Sequence, residues 1–177
     1  MKNLNPFLSI SIRYGGIAVI LSIVLFLVLY YGGQNPLLIP AFLDFRILLF
    51  PIFLVFSLRD YKENHNGGIL HFWQGFSIGL LVISVIAILM ALFIMVFGSW
   101  AEPDFVANFV QSSIDQIESA REKITSAIGE EELTTVLEIL PSTTLYDLAL
   151  DYFLKSLPYG IFLTIIISLI LRKKPNF

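Results

Sequence analysis

Four long apolar segments run through this chain, separated by loops whose charges are sorted by side. A helix needs about 20 apolar residues to cross the hydrocarbon core of a bilayer. Within lipid, only helices and closed barrels satisfy every backbone N–H and C=O. The segments fall at Tyr14–Tyr31, Pro40–Leu58, Phe76–Phe97 and Leu145–Leu171. Of the 177 residues, 56% are hydrophobic and 14% charged, and the mean hydropathy of +0.81 is too high for a soluble domain of this size. The expected fold class is therefore all-α: a polytopic membrane protein with four transmembrane helices and a helical extracytoplasmic hairpin between the third and the fourth.

Local signals set the boundaries. The first helix stops at Gly32-Gly33, with Asn35-Pro36 beyond as a turn signal. It follows Lys2 and Arg13 without a small-x-small cleavage site, which predicts a retained helix, not a signal peptide. The second opens at Pro40, a residue suited to a first helical position, and carries Pro51 in its middle, where a bend is expected. Trp73 and Trp100 bracket the third, as indoles at two headgroup layers do. In the fourth, only Leu157–Leu171 is free of charge, so the helix must begin earlier, and Thr144-x-x-Asp147 offers a capping box there. The domain layout that results is 1–100 for helices one to three, 101–143 for an acidic insertion, and 144–177 for the fourth helix and a basic tail.

The charges orient these passes. Lys2, Arg13, Arg59, Lys62, Arg172, Lys173 and Lys174 fall on one face, whereas residues 101–143 carry Arg121 and Lys123 against nine acids. Basic residues mark the cytoplasmic side, so both termini are expected inside and the acidic insertion outside. Within that insertion, Phe105, Phe109, Ile117, Ile124 and Ile128 recur at helical spacing. After Gly129, Glu130-Glu131-Glu132 opens a second short helix that Pro141 ends. Two such helices have too small a core to stand alone, so they are expected to lie as a lid on the bundle or to dock a partner.

Ionisable groups at membrane depth are costly and each is a candidate for function. Asp44 and Arg46 open the second helix; Asp147, Asp151 and Lys155 form a stripe of period four on the fourth. Together they make a candidate outer-leaflet charge cluster, with Asp151 expected near Arg46 and Lys155 near Asp44. Plain alternatives are a helix-dipole role for Asp44 and snorkelling of the long basic chains. Gly75-x-x-x-Gly79 has the spacing that lets helices approach closely, within the bundle or across a homodimer face, Gly15-Gly16 is a candidate counterpart, and Gln74 can hydrogen-bond across to another helix. His65 and His71 flank a glycine turn and are read as loop histidines. With no cysteine there is no disulfide framework, thiol nucleophile or thiolate metal site. No catalytic, metal or phosphate-loop motif can be assembled, so no enzyme, cofactor, metal site or nucleic-acid partner is expected.

The segment Gly68-Ile-Leu-His-Phe-Trp-Gln-Gly-Phe-Ser-Ile-Gly79, with Arg13-Tyr14-Gly15 and a terminal Arg-Lys-Lys, resembles a family of small four-helix bacterial inner-membrane proteins known only as a domain of unknown function. Phe72, Gln74, Phe76 and Gly79 match its Phe-x-Gln-x-Phe-x-x-Gly element. The resemblance implies a location in the bacterial inner membrane and carries no activity. The expected role is a non-enzymatic accessory or scaffold subunit in contact with membrane lipids and with a membrane-protein partner or its own copies. The alternatives are a small oligomeric transporter or channel, and a phospholipid- or polyprenyl-phosphate-binding or glycosyltransferase accessory protein that holds phosphate through Arg46 and Lys155.

Overall fold

The computed structural model describes residues 5–39 and 45–173, with the backbone alone at 45–47. Seven α-helices form there: α1 Pro6–Tyr31, α2 Phe45–Asp60, α3 Phe72–Val96, α4 Phe105–Ser119, α5 Arg121–Ile128, α6 Glu130–Ile139 and α7 Leu145–Leu171. Among the described residues there is no strand beyond one isolated antiparallel bridge between Leu70 and Lys173. Helices α1, α3 and α7 are long and apolar enough to cross a membrane; the 16 described residues of α2 fall short of that length.

The helix starts differ from the sequence expectations for capping reasons. α1 begins at Pro6, not Tyr14, because Pro6 suits the first turn and the Asn5 side chain accepts the Phe7 N–H at 3.2 Å. Arg13 thus lies inside the helix. α3 begins at Phe72, not Phe76, because the Gln74 carbonyl accepts the His71 N–H at 3.1 Å and closes the first turn. α7 begins at Leu145, where Thr144 and Asp147 cap each other: the Thr144 hydroxyl accepts the Asp147 N–H at 3.2 Å and Asp147 accepts the Thr144 N–H at 2.8 Å. The acidic insertion holds three helices instead of two, since the chain breaks at Ala120 as well as at Gly129, whose φ of +91° favours glycine. Pro51 and Pro158 both lie inside continuous helices.

α1, α2, α3 and α7 form an up-down-up-down bundle. α3 is its axis, packing most extensively on α7 and next on α1, while α2 closes the side between them. The bundle is apolar outside as well as in, with a few small hydroxyl residues set into its core. Its outward faces present Ile17, Ile20, Val24 and Val28 of α1 and Phe162, Leu169 and Ile170 of α7, while Ser11, Ser22, Ser57, Ser156, Thr164 and Ser168 are buried. Small hydroxyl residues bring helices close where dispersion contacts, not water exclusion, must hold them together. The ends also differ. A basic end gathers the start of α1, the 60–71 turn, the start of α3 and the end of α7, and the acidic insertion covers the other.

Candidate functional site: the glycine seam and its polar end

Along α7, Ser156, Gly160, Thr164 and Ser168 recur every four residues and all are buried. They form one ridge, and it meets Gly75, Gly79 and Ile83 of α3. A Cβ added at Gly79 would lie 2.5 Å from Thr164 Cγ2, one at Gly75 3.0 Å from Ser168 Oγ, and one at Gly160 would overlap Ile83. The counterpart of Gly75-x-x-x-Gly79 is therefore this ridge and not Gly15-Gly16. Gly15 instead meets Val85 on another face of α3, and a Cβ added at Gly16 would meet nothing within 4 Å. Among the described residues, the hydroxyls of Ser22, Thr164 and Ser168 have no hydrogen-bond partner although they are buried. Ser11 does bridge helices, donating to Phe7 O at 2.7 Å and lying 3.2 Å from Ile78 O of α3.

The seam ends in a polar cluster. Gln74 is its hub: its carbonyl also accepts from Asn66 Nδ2 at 3.1 Å, and its amide donates to the Tyr61 hydroxyl at 3.4 Å. Asn66 Nδ2 donates again to Ile69 O at 2.9 Å, which fixes the turn built on Gly67 and Gly68 at φ +58° and +81°. Tyr61 belongs to a π-helical turn, Tyr61–His65, that continues α2. Its ring meets Phe7 edge-on and stacks on His65. Gln74 thus links α3 to the extension of α2. On the same end Arg13 of α1 forms an ion pair with Asp60 of α2, whose other carboxylate oxygen accepts from Asn64 at 2.7 Å. Lys62 Nζ donates to Leu171 O at 3.1 Å and so closes the last turn of α7. The pairing of Arg13 with Asp60 and that of Gln74 with Asn66 and Tyr61 are not legible in the sequence, because helical spacing gives a side chain's face but not the neighbour that the face meets.

The charged stripe on α7 resolves locally. Lys155 pairs with Asp151 at 2.6 Å on an exposed face, their side chains 71% and 54% accessible, and Asp147 is engaged by Thr144. Asp44 and the Arg46 side chain lie outside the described residues, as does the expected pairing between them and the stripe. His65 and His71 join no group of three metal-ligating side chains among the described residues. At the far end an aromatic cluster anchors the acidic insertion. Phe105 of α4 is fully buried against Phe26, Tyr30 and Phe97, with ring centroids 5.5–6.1 Å apart. Beyond this anchor, Arg121 holds α5 to α6 through Glu130 at 2.6 Å and also bonds Glu118 at 3.0 Å. These contacts raise the Arg121 pKa and, chiefly through Arg121 and then Thr125, lower that of Glu130.

A protein-family model matches residues 13–173, and its description reads Protein of unknown function (DUF4199). No curated protein and no solved structure matches the chain. The match begins at Arg13 and closes at Lys173, so it spans the seam, its polar end and the acidic insertion together.

Proposed function

The chain belongs to this family of unknown function, and we propose that it is a four-span membrane protein acting as a non-enzymatic accessory subunit that docks a partner through its acidic insertion. In this reading α2, continued upstream of Phe45, is the fourth span; the basic end is cytoplasmic and the insertion extracytoplasmic. The sorted charges support that orientation. The observation that carries the docking role is the apolar surface left on α5 and α6. In the three helices of the insertion only Phe105, Ser113 and Leu133 are buried, whereas Ile128, Val136 and Ile139 stand exposed, Ile139 at 61%, on an otherwise acidic segment. Apolar side chains clustered on a water-facing, polar-rimmed element mark an interaction surface.

Purification of the tagged protein in mild detergent, followed by mass spectrometry, tests this directly. A stoichiometric membrane-protein partner that is lost in Val136→Asp/Ile139→Asp supports the role; a lone monomer overturns it. The absence of cysteine makes the orientation testable too, because any introduced thiol is unique. Ser126→Cys should react with an impermeant maleimide from outside intact cells, and Asn64→Cys only after lysis. The buried hydroxyls of Ser22, Thr164 and Ser168 favour transport as a second reading; solute flux through liposomes carrying the purified protein would move the assignment there.

A further inference from the structure

The basic end of the bundle holds more fixed positive charge than its own carboxylates neutralise. Arg13, Arg59, Lys62, Arg172 and Lys173 gather there against Asp60 and Glu63. Asp60 is already occupied, one oxygen by Arg13 and the other by Asn64. Arg59, Arg172 and Lys173 are exposed and have no carboxylate partner among the described residues. Nor are these cations on a loose tail. Leu70 and Lys173 exchange backbone hydrogen bonds at 3.2 and 3.0 Å, and Lys62 donates to Leu171 O. Arg172 and Lys173 are therefore held where α7 meets the 60–71 turn. Arg59, in the last turn of α2, lies three residues before Lys62 on the same helical run and is exposed at this end. Three residues beyond Leu70, the Trp73 indole is 72% exposed in the first turn of α3, packed edge-on against Phe72 and Phe76.

We infer that this end is a binding surface for the phosphate of an anionic phospholipid, with Arg59, Arg172 and Lys173 as its cations and Trp73 at the glycerol level. Leu169 and Ile170 stand exposed on α7 within a turn of Arg172 and Lys173, so a lipid seated there keeps its chains on apolar surface while its phosphate meets the cations. An exposed indole at the same end of the bundle as fixed cations is the combination that suits the headgroup layer. The site lies at the opposite end of α7 from Lys155, and it does not depend on the docking role of the acidic insertion.

The test is lipid binding by the purified full-length protein in neutral detergent, titrated with phosphatidylglycerol, with phosphatidylcholine and with inorganic phosphate. The expected result is saturable binding of phosphatidylglycerol alone, weakened when salt rises from about 0.05 to about 0.5 M, as exposed charges require. Arg59→Gln/Arg172→Gln/Lys173→Gln should lose at least about tenfold in affinity, consistent with near-surface cations that each contribute. The charge-preserving Arg59→Lys/Arg172→Lys should retain most of it, and Lys123→Gln at the other end should change nothing. Equal binding of phosphatidylcholine, equal competition by inorganic phosphate, insensitivity to salt, or an unaltered triple variant would each overturn the inference.

Discussion

Gly160 and Ile83 make the closest demand in the bundle, because any Cβ at position 160 would occupy space that the Ile83 side chain already fills. Overpacking of this kind typically costs about 1–3 kcal/mol. Gly160→Ala should therefore lower stability in a detergent unfolding titration, whereas Gly16→Ala, with nothing within 4 Å, should leave it unchanged or raise it. Adding Ile83→Ala to Gly160→Ala should recover part of the loss, and additive costs in the double-mutant cycle would show that the two residues do not compete for space. Gln74 makes a different demand. Replacing it by Leu leaves Asn66, Tyr61 and the His71 N–H each short of a bond. Interhelical bonds in membranes are worth about 0.6 kcal/mol each, so Gln74→Leu should cost roughly 1–2 kcal/mol, and Gln74→Glu, which keeps the acceptor oxygen, should cost less in the same titration.

Among the elements, α4 depends on one residue more than on its length. Phe105 is the side chain it buries in the ring cluster of Phe26, Tyr30 and Phe97. Phe105→Ala removes about 3–5 kcal/mol of core packing by analogy with buried phenylalanines elsewhere. The expected outcome is undocking of the insertion: faster hydrogen exchange over 105–140 with α3 and α7 still protected. Uniform exchange across the whole chain would show instead that the insertion and bundle unfold as one unit. The contact between α5 and α6 carries its own pH dependence. Glu130 is held below its ordinary value of 4.5, so the Arg121 pair contributes above that pH and is lost as pH falls through the lower folded value. Exchange at 121–139 should rise in that acidic window and not between pH 5 and 8; Arg121→Gln should abolish the step.

At the scale of the whole molecule, the apolar segments and glycine punctuation were enough to give an all-helical chain and the position of α7 to the residue, since Leu145 comes directly after a capping box that is local in sequence. Helix starts were less legible. Asn5 and Gln74 cap through side chains several residues from the apolar run, so hydropathy alone places α1 and α3 late. Gly75 and Gly79 were visible as a close-packing motif, yet their partner was not: the Ser156–Gly160–Thr164–Ser168 ridge carries the same period of four, but spacing within a helix does not choose which helix it meets. The apolar outer face has a whole-molecule consequence. Transfer to water should cost this bundle more than it costs a soluble helical domain, because its outer surface is apolar as well as its core. Exchange from mild detergent into amphipol should preserve helicity by circular dichroism, and dilution into detergent-free buffer should precipitate the protein.

Transfer out of water and local capping make four apolar segments, their sorted charges and the turn glycines at 67, 68 and 129 legible along the chain. Each depends on a residue and its near neighbours along the chain. Only the tertiary structure decided that α3 is the axis, that its glycines receive the small ridge of α7, that Arg13 meets Asp60 across 47 residues, and that Lys173 is clamped beside Leu70. These contacts join side chains far apart in sequence through the shape of two surfaces. Shape complementarity is a property of the pair, and neither segment carries it alone.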